Sequence, residues 1–464
     1  MNLEKATIIP IPKKPNPKEP KDFRPISIIC PVLKIFERII YNSLLNHFTK
    51  HNIIPSCQHG FTKNRSVTTQ LIETFEDITY AIDKGWWVDL IFFDFEKAFD
   101  SVPHDRLISK LKSVGIEGPL LEIIKSYLTG RSFQVQVKDQ TSEECEAPAG
   151  VPQGSVLGPL LFIFFISDLP KFCHTPGVTA KLFADDLKIK RSSPRTTSLH
   201  FSDFRDPIKV FISKLSKYCE INGLKINAEK CQTLHLGLQN PSLPYFYNST
   251  EIPCVEKNSI IRDLGIYYSD SLKWEPHVSE SVTKGKRASF SILKSIKTHN
   301  PNILANLFKT YIRPILEFAS PVFSPYLEKD IKKLESVQKV YLQCCYNRIF
   351  FKKVQTPSYD FLLKYFKIES LQKRRLKADY KIFHQYMLGI LPFPEQNAFR
   401  CVNSKTRGDM FKIQTNPSKT KIRQNSFFTR TSVLYSKLPI ETRQKDLSDF
   451  MKDIDSLFLT GNDL

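Results

Sequence analysis

The run "VDLIFFDF", residues 88–95, constrains this chain more than any other stretch. It is apolar at nearly every position and stops at an aspartate. A strand that is apolar on both faces must be covered on both sides, so the run reads as a central sheet strand. Its last residues then put Asp94 at a sheet end, where a site can form. A second carboxylate pair lies in "KLFADDLKIK", residues 181–190, which reads as two short strands with Asp185 and Asp186 at the bend. Adjacent like charges repel and strands normally exclude aspartate, so this pair needs a reason.

Between these stretches lies a glycine-rich turn, "AGVPQGSVLGP", that leads into the apolar run "LLFIFFI", residues 160–166. That run is far short of the roughly 20 residues a membrane helix needs, and it reads as part of a buried helix. Upstream, residues 7–31 are proline-rich and read as extended or looped. Residues 32–49 have helical spacing, with Leu33, Phe36, Ile40, Leu44 and Phe48 on one face. "SVTTQLIETFEDITYAIDKG" reads as a second helix, with Gly85 as its C-cap. Residues 104–129 read as two helices, residues 132–137 as an alternating strand, and residues 203–222 as a helix. "CQTLHLGL" and "IRDLGIYY" read as short strands, the second with a bend. From about residue 275 amphipathic helices dominate, including "ILANLFKTYIRPILEFA" and "DIKKLESVQKVYLQCCYNRIF". Residues 403–425 are polar and basic and read as a surface loop.

Composition excludes several classes. The 464 residues suffice for two to four domains, and 41% hydrophobic with 12% aromatic content excludes a disordered chain. The net charge of +20 suggests a polyanionic partner. It is uneven: residues 1–270 carry 33 Lys and Arg against 30 Asp and Glu, whereas residues 271–464 carry 34 against 17. The C-terminal part is therefore the better candidate for phosphate contacts, with a solvated basic surface as the plainer alternative. The 10 cysteines show no CxxC spacing, which fits a reducing interior rather than a zinc site or a disulfide framework. The N-terminus does not read as a signal peptide. The expectation is a protein of the nucleus and/or cytoplasm, not secreted and with no membrane partner.

The chemistry lies in an order of elements. Three aspartates at the ends of apolar strands, from distant parts of the chain, can converge on one sheet edge. Clustered carboxylates stay ionised only beside a compensating charge. Hard oxygen ligands favour Mg²⁺. Two such ions about 3.5–4 Å apart would clamp the attacking and leaving oxygens of a phosphoryl displacement. Neighbouring strand residues face opposite ways, so Asp185 and Asp186 should do different work.

"FDFEKAFDSVPHDRL", "GVPQGSVLGPLLFIFFISDL" and "FADD", in this order and spacing, resemble the reverse transcriptase domain of non-LTR (LINE-type, jockey-like) retrotransposons. The resemblance extends to "DFRPISI", "QHGFTKNRSVTTQL", "GLKINAEKCQTLHLG" and "LGIYY", and covers about residues 7–270. It implies an α+β right-hand polymerase: fingers at 1–86 with a return at 130–150, palm at 87–257, primer grip and helical thumb at 258–350, and a basic helical extension at 351–464. It implies Asp94 and Asp185 as the principal metal ligands, Asp186 beside them, and the Phe95 carbonyl completing one metal shell. The cofactor would be two Mg²⁺ ions, with Mn²⁺ as a substitute. Arg24 and Lys13 would grip the triphosphate of an incoming dNTP, and Gln153 would line its pocket. Phe99 would be the ring that excludes a 2′-hydroxyl. Lys230 would sit near the leaving pyrophosphate, and "LGIYY" would be the primer grip. Phe183 stands where the family commonly has Tyr, so one polar contact near the primer is in doubt.

The implied activity is RNA-directed DNA synthesis, with an RNA template and a DNA primer or target as partners. Two alternatives remain: an RNA-binding remnant without catalysis, and a viral-type RNA polymerase, which would need a smaller or hydrogen-bonding residue than Phe99. Arg24, Gln153 and Lys230 have plain readings as surface or turn residues, and Phe99 as core. Lys14 could serve in place of Lys13. Asp100 and His104 read as helix-start residues. The run "QKRRLKADYK", residues 372–381, reads as a solvated helix face, with phosphate contact or a nuclear signal as alternatives.

Overall fold

The computed structural model describes residues 5–195, 201–351, 355, 357–394, 399–402 and 412–459. The chain forms two compact units. The first comprises residues 1–66, 88–235 and 239–254, and the second residues 67–87, 236–238 and 255–464. The helix Val67–Asp83, expected in the fingers, falls in the second unit.

The first unit is built on two sheets. In one, β1 (Lys5–Pro12) pairs antiparallel with β2 (Phe23–Ile28), Pro10 opposite Pro25. β4 (Ser132–Val137) returns to lie parallel to β1, Lys5 against Ser132 through Ile8 against Val135, and pairs antiparallel with the short strands β5 (Gln140–Thr141) and β6 (Cys145–Glu146). Pro10 and Pro12 fall beyond the end of that pairing, so their missing N–H groups cost no bond to β4. The proline-rich segment is thus extended, as expected, and its strands are paired.

The second sheet has the order β7 (Val178–Phe183), β8 (Asp186–Ser193), β3 (Trp87–Phe93), β9 (Gln232–Leu236). β3 is buried at six of its seven positions, as an interior strand covered on both faces must be. The helix Gly158–Phe165 is buried along its whole apolar length except at Pro159. It joins Ile91, Phe93, Leu187, Ile189 and Leu215 in one core, where Phe164 stacks on Phe48 at 4.7 Å.

Asp89, inside the β3 run, has no exposed surface. A buried carboxylate must be paired or hydrogen-bonded. Tyr245 donates its hydroxyl to Asp89 at 2.6 Å, Asn240 donates its amide at 2.9 Å, and His235 Nδ1 lies 2.7 Å away. The network ties β9 and the segment after it to β3.

The helix expected at 32–49 spans Pro31–Lys50 and buries Ile40, Leu44 and Phe48 as expected, but not Phe36. Phe36 is exposed, and Glu37 is buried beside Ile40, Leu44 and Phe48. Tyr127 donates its hydroxyl to Glu37 at 2.8 Å and Val156 its backbone N–H at 2.6 Å, so the carboxylate is satisfied inside.

The second unit is helical, as expected past residue 275. Its main helices are Glu275–Ser295, Glu328–Ile349, Leu371–Met387, Phe427–Ser436 and Leu447–Leu459. The helix Val67–Asp83 ends where expected: Gly85 has φ +74° and donates to Ile82 while Trp86 donates to Ala81, a Schellman closure. "IRDLGIYY" is a hairpin, Ile261–Asp263 against Ile266–Tyr268. Residues 303–319 do not form one helix: Pro301–Leu307 runs into a π turn at Phe308–Ile312 before Arg313–Glu317. Pro314 has no N–H for the ladder, which accounts for the break.

Two readings of basic segments are corrected here. Residues 372–381 are not a solvated face. Arg374 pairs with Glu317 at 2.5 Å, Lys377 with Glu369 and Asp455 at 2.5 Å each, and Lys373 donates to the Phe458 carbonyl at 2.6 Å. Arg375 is 3% exposed, in the field of Glu335, Asp379 and Glu317. The segment 403–425 is not all loop. Residues 403–411 lie outside the described residues, but Lys412–Thr415 is a strand and Lys421–Gln424 a helical turn with Arg423 buried. No helix among the described residues is long and apolar enough to cross a membrane.

Candidate active site

Asp94 directly follows β3. Its carbonyl accepts the Asn227 N–H at 2.9 Å, and Glu96 donates to the Lys225 carbonyl at 2.8 Å. The backbone around Asp94 is therefore fixed by residues 225–227, with Phe95 bridged to Ile226. The side chain is free of that ladder and 43% exposed, and the Lys230 ammonium lies 3.8 Å from it. At that distance and exposure the pair is worth about 0–1 kcal/mol. Phe95 buries its ring in the core.

The β7–β8 hairpin presents the other carboxylates. Phe183 opposes Asp186, leaving Ala184 and Asp185 as the two turn residues. Asp185, in the turn, is partly buried while Asp186, the first residue of β8, is exposed, so the two carboxylates lie in different surroundings. Burial raises the Asp185 pKa above the ordinary carboxylate value. Its own backbone N–H lowers it, the Asp94 carboxylate raises it, and the Arg24 guanidinium lowers it. Asp94, Asp185 and Arg24 therefore share one electrostatic environment, although they come from three separate elements.

Arg24 is exposed on β2, opposite Ile11. Lys13 follows β1; its backbone N–H donates to the Asp22 carbonyl at 2.8 Å and its ammonium to the Lys21 carbonyl at 3.0 Å. Lys14 instead pairs with Asp22 at 2.9 Å. The hydrogen bond from Lys14, with those from the Lys18 and Glu19 N–H groups, holds Asp22 down to about 2. Of the two lysines, Lys14 is the one committed to a carboxylate.

The half-buried ring of Phe99 stacks on Phe162 at 4.3 Å, and the Phe99 carbonyl accepts the Val151 N–H at 2.8 Å. Gln153 anchors the glycine-rich turn to β2 by accepting the Ser27 N–H at 2.7 Å, and its amide makes a long contact of 3.4 Å to Asp100. His104 contacts the Gly150 carbonyl at 2.9 Å, a structural role.

Among the described residues, no three His, Cys, Asp or Glu side chains converge into a ready metal cage. What Asp94 and Asp185 offer is narrower: hard oxygen donors close enough that the Asp94 carboxylate raises the Asp185 pKa, with Arg24 and Lys230 as cationic neighbours. That donor chemistry fits a divalent oxygen-seeking ion and excludes a soft metal.

One contributor is missed by reading residues for chemistry. Gln58 is 1% exposed, and its side-chain carbonyl accepts the Ala184 N–H at 3.0 Å and the Gly60 N–H at 2.8 Å. The signal was present in "QHGF", a glutamine and a glycine placed two apart before an aromatic residue.

Comparison with known proteins identifies the family. The family of reverse transcriptases (RNA-dependent DNA polymerases) matches residues 11–274. The chain is similar to the probable RNA-directed DNA polymerase from transposon X-element of Drosophila melanogaster, 29% identical over 70% of this chain and 36% of that one. It is 32% identical to the counterpart from transposon BS, over 60% and 31%, and 28% identical to that of mobile element jockey, over 72% and 36%, both from the same organism. The chain spans about a third of the length of these curated relatives. Among solved structures, apo telomerase from Candida tropicalis aligns with TM-score 0.45 and 14% identity, over 84% of this chain and 67% of that one. The family match, over more than half of the chain, carries the fold class expected from the sequence, the α+β right-hand polymerase class. The family match runs without interruption from β1 through both carboxylate-bearing elements and past the hairpin Ile261–Tyr268, and so the chain belongs to the reverse transcriptase family.

Proposed function

We propose that the chain is the polymerase portion of a non-LTR retrotransposon protein and adds dNTPs to a primer 3′-hydroxyl on an RNA template. The observation that carries this reading is the placement of Asp94 directly after β3 and of Asp185 at the turn of the hairpin β7–β8, whose strand β8 pairs beside β3 in the same sheet. In the reaction the primer 3′-oxygen bonds to the α-phosphorus of the dNTP, and the bond from that phosphorus to pyrophosphate breaks. Asp94 and Asp185, with Asp186 and the Phe95 carbonyl beside them, would hold two Mg²⁺ ions, or Mn²⁺ in their place. Bound there, the ions supply Lewis-acid stabilisation of the phosphoryl oxygens and of both the attacking and the leaving oxygen.

The chain's own groups do the rest. Arg24, and Lys13 from the loop after β1, neutralise triphosphate charge. Lys230 lies on the Asp94 side, where the leaving group's charge builds. Phe99, braced from behind by Phe162, would press on the sugar and reject a 2′-hydroxyl, and Gln153 would line the pocket. In this reading residues 1–86 with the 130–150 return act as fingers, 87–257 as palm, 258–350 as primer grip and thumb, and 351–464 as a basic helical extension. The DNA primer or target and the RNA template are the macromolecular partners.

Primer extension on an RNA template with dNTPs and Mg²⁺ tests the reading. Asp185→Asn should lower the rate by about a thousandfold, because Lewis-acid stabilisation is worth several kcal/mol. A folded, template-bound wild-type protein that extends no primer refutes it.

A further inference from the structure

The turn that carries Asp185 is clamped by a segment with no assigned role, residues 57–60. Cys57 accepts the Leu182 N–H at 2.9 Å and His59 donates to the Leu182 carbonyl at 2.8 Å, so the segment pairs with β7 on the edge away from β8. At the turn this pairing becomes a clamp with two jaws. The Gln58 side-chain oxygen accepts the Ala184 N–H. Gly60 packs its backbone on the same peptide: a Cβ there would lie 2.3 Å from the Ala184 nitrogen and 3.0 Å from the Phe183 carbonyl carbon.

Ala184 needs such a hold. Its φ is +54°, a left-handed conformation that a non-glycine residue adopts at a cost. Strained backbone persists where its surroundings over-determine it. The Ala184 N–H is buried, so it would be left unsatisfied without the Gln58 oxygen. The side chain is held in turn. Its oxygen receives two N–H groups, which fixes the orientation of the amide, while its own Nε2 is buried without a partner. A buried amide that leaves its donor unsatisfied is placed for its oxygen.

We infer that Gln58 is a positioning residue. It fixes the left-handed peptide of Ala184 and thereby sets where Asp185 presents its carboxylate, with Gly60 admitting the close approach. This rests on the polymerase reading, in which Asp185 must meet the reacting phosphate. Misplacement of a reacting group by about 1 Å can cost on the order of a hundredfold.

The experiment compares wild type, Gln58→Met and Gln58→Glu. Met keeps the length and removes the acceptor; Glu keeps an acceptor oxygen at the same reach. Gln58→Met should lower kcat for primer extension about ten- to a hundredfold, with the Kd for template–primer and the melting temperature near wild type. Gln58→Glu should recover most of the rate. Equal kcat in wild type and Gln58→Met overturns the inference. So does a loss of kcat in Gln58→Met that comes with equal losses of binding and melting temperature, which would make Gln58 a fold residue only. If wild type extends no primer, the polymerase reading fails on its own account. Hydrogen exchange at the Ala184 amide then decides the clamp: lost protection in Gln58→Met upholds it, and unchanged protection overturns it.

Discussion

The buried ion pair of the second unit allows a stability prediction that does not depend on activity. Arg423 and Glu76 meet at 2.6 Å with side chains 4% and 0% exposed. Arg423 also donates to the Glu76 carbonyl at 3.1 Å and to the Thr79 hydroxyl at 3.0 Å. Burial pushes the Glu76 carboxyl up to about 7, against the opposing pull of Arg423. Its other oxygen has no hydrogen-bond partner, beside a cavity lined by Phe75, Trp274, Tyr326 and Phe427. Arg423→Met keeps most of the apolar stem and removes every donor.

The sign and size of the effect follow from linkage. A carboxyl whose folded pKa is raised stabilises the fold fully below its unfolded value, and that stability is lost as pH rises through the folded value. For wild type the window is about 4.5 to 7, a loss on the order of 3 kcal/mol at about 1.4 kcal/mol per unit. Between about pH 4.5 and 7 both proteins lose stability at the same slope. Their difference there is the orphaned carbonyl and hydroxyl, about 1–3 kcal/mol. Above pH 7 wild type levels off. The variant, without its cation, has a still higher carboxyl pKa and keeps losing about 1.4 kcal/mol per unit. The gap should widen toward the roughly 3–5 kcal/mol expected for breaking a buried pair. Urea unfolding followed by tryptophan fluorescence reads this unit selectively, since the three tryptophans, Trp86, Trp87 and Trp274, all belong to it. A gap that stays flat from pH 6 to 9 refutes the reasoning.

Two further outcomes are expected. Phe99→Ala should raise ribonucleotide incorporation relative to deoxynucleotide by on the order of a hundredfold, read from paired single-nucleotide extensions; an unchanged ratio removes Phe99 as the discriminating ring. Gln replacement of Lys373, Arg374 and Lys377 together should leave RNA affinity and its salt slope almost unchanged while lowering stability, because those cations are bonded within the chain. A salt slope lower by two or more would instead assign them to phosphate.

What the sequence made legible, and what it did not, divides by the range of the interaction that decides each residue. β3, the buried helix Gly158–Phe165 and the β7–β8 hairpin are specified by runs of their own residues, and each lies where its pattern puts it. Helix Pro31–Lys50 shows where local pattern stops. Spacing identifies a helix but cannot choose between neighbouring rows of its surface. Phe36 looked like the buried row, and Glu37 takes it because Tyr127 and Val156 arrive with donors from 90 and 119 residues away. Charge misleads in the same way. Residues 372–381 read as solvated because Glu317, Asp455 and the Phe458 carbonyl cannot be foreseen beside them. The same holds at the site. Asp94 and Asp185 stand out because carboxylates at the ends of apolar strands are costly. Gln58 does not, since a neutral amide carries no such cost and its role exists only once Ala184 is beside it. Carboxylates at the ends of apolar strands are thus readable from their own neighbours, whereas an amide that holds the backbone beside them becomes visible only in the fold.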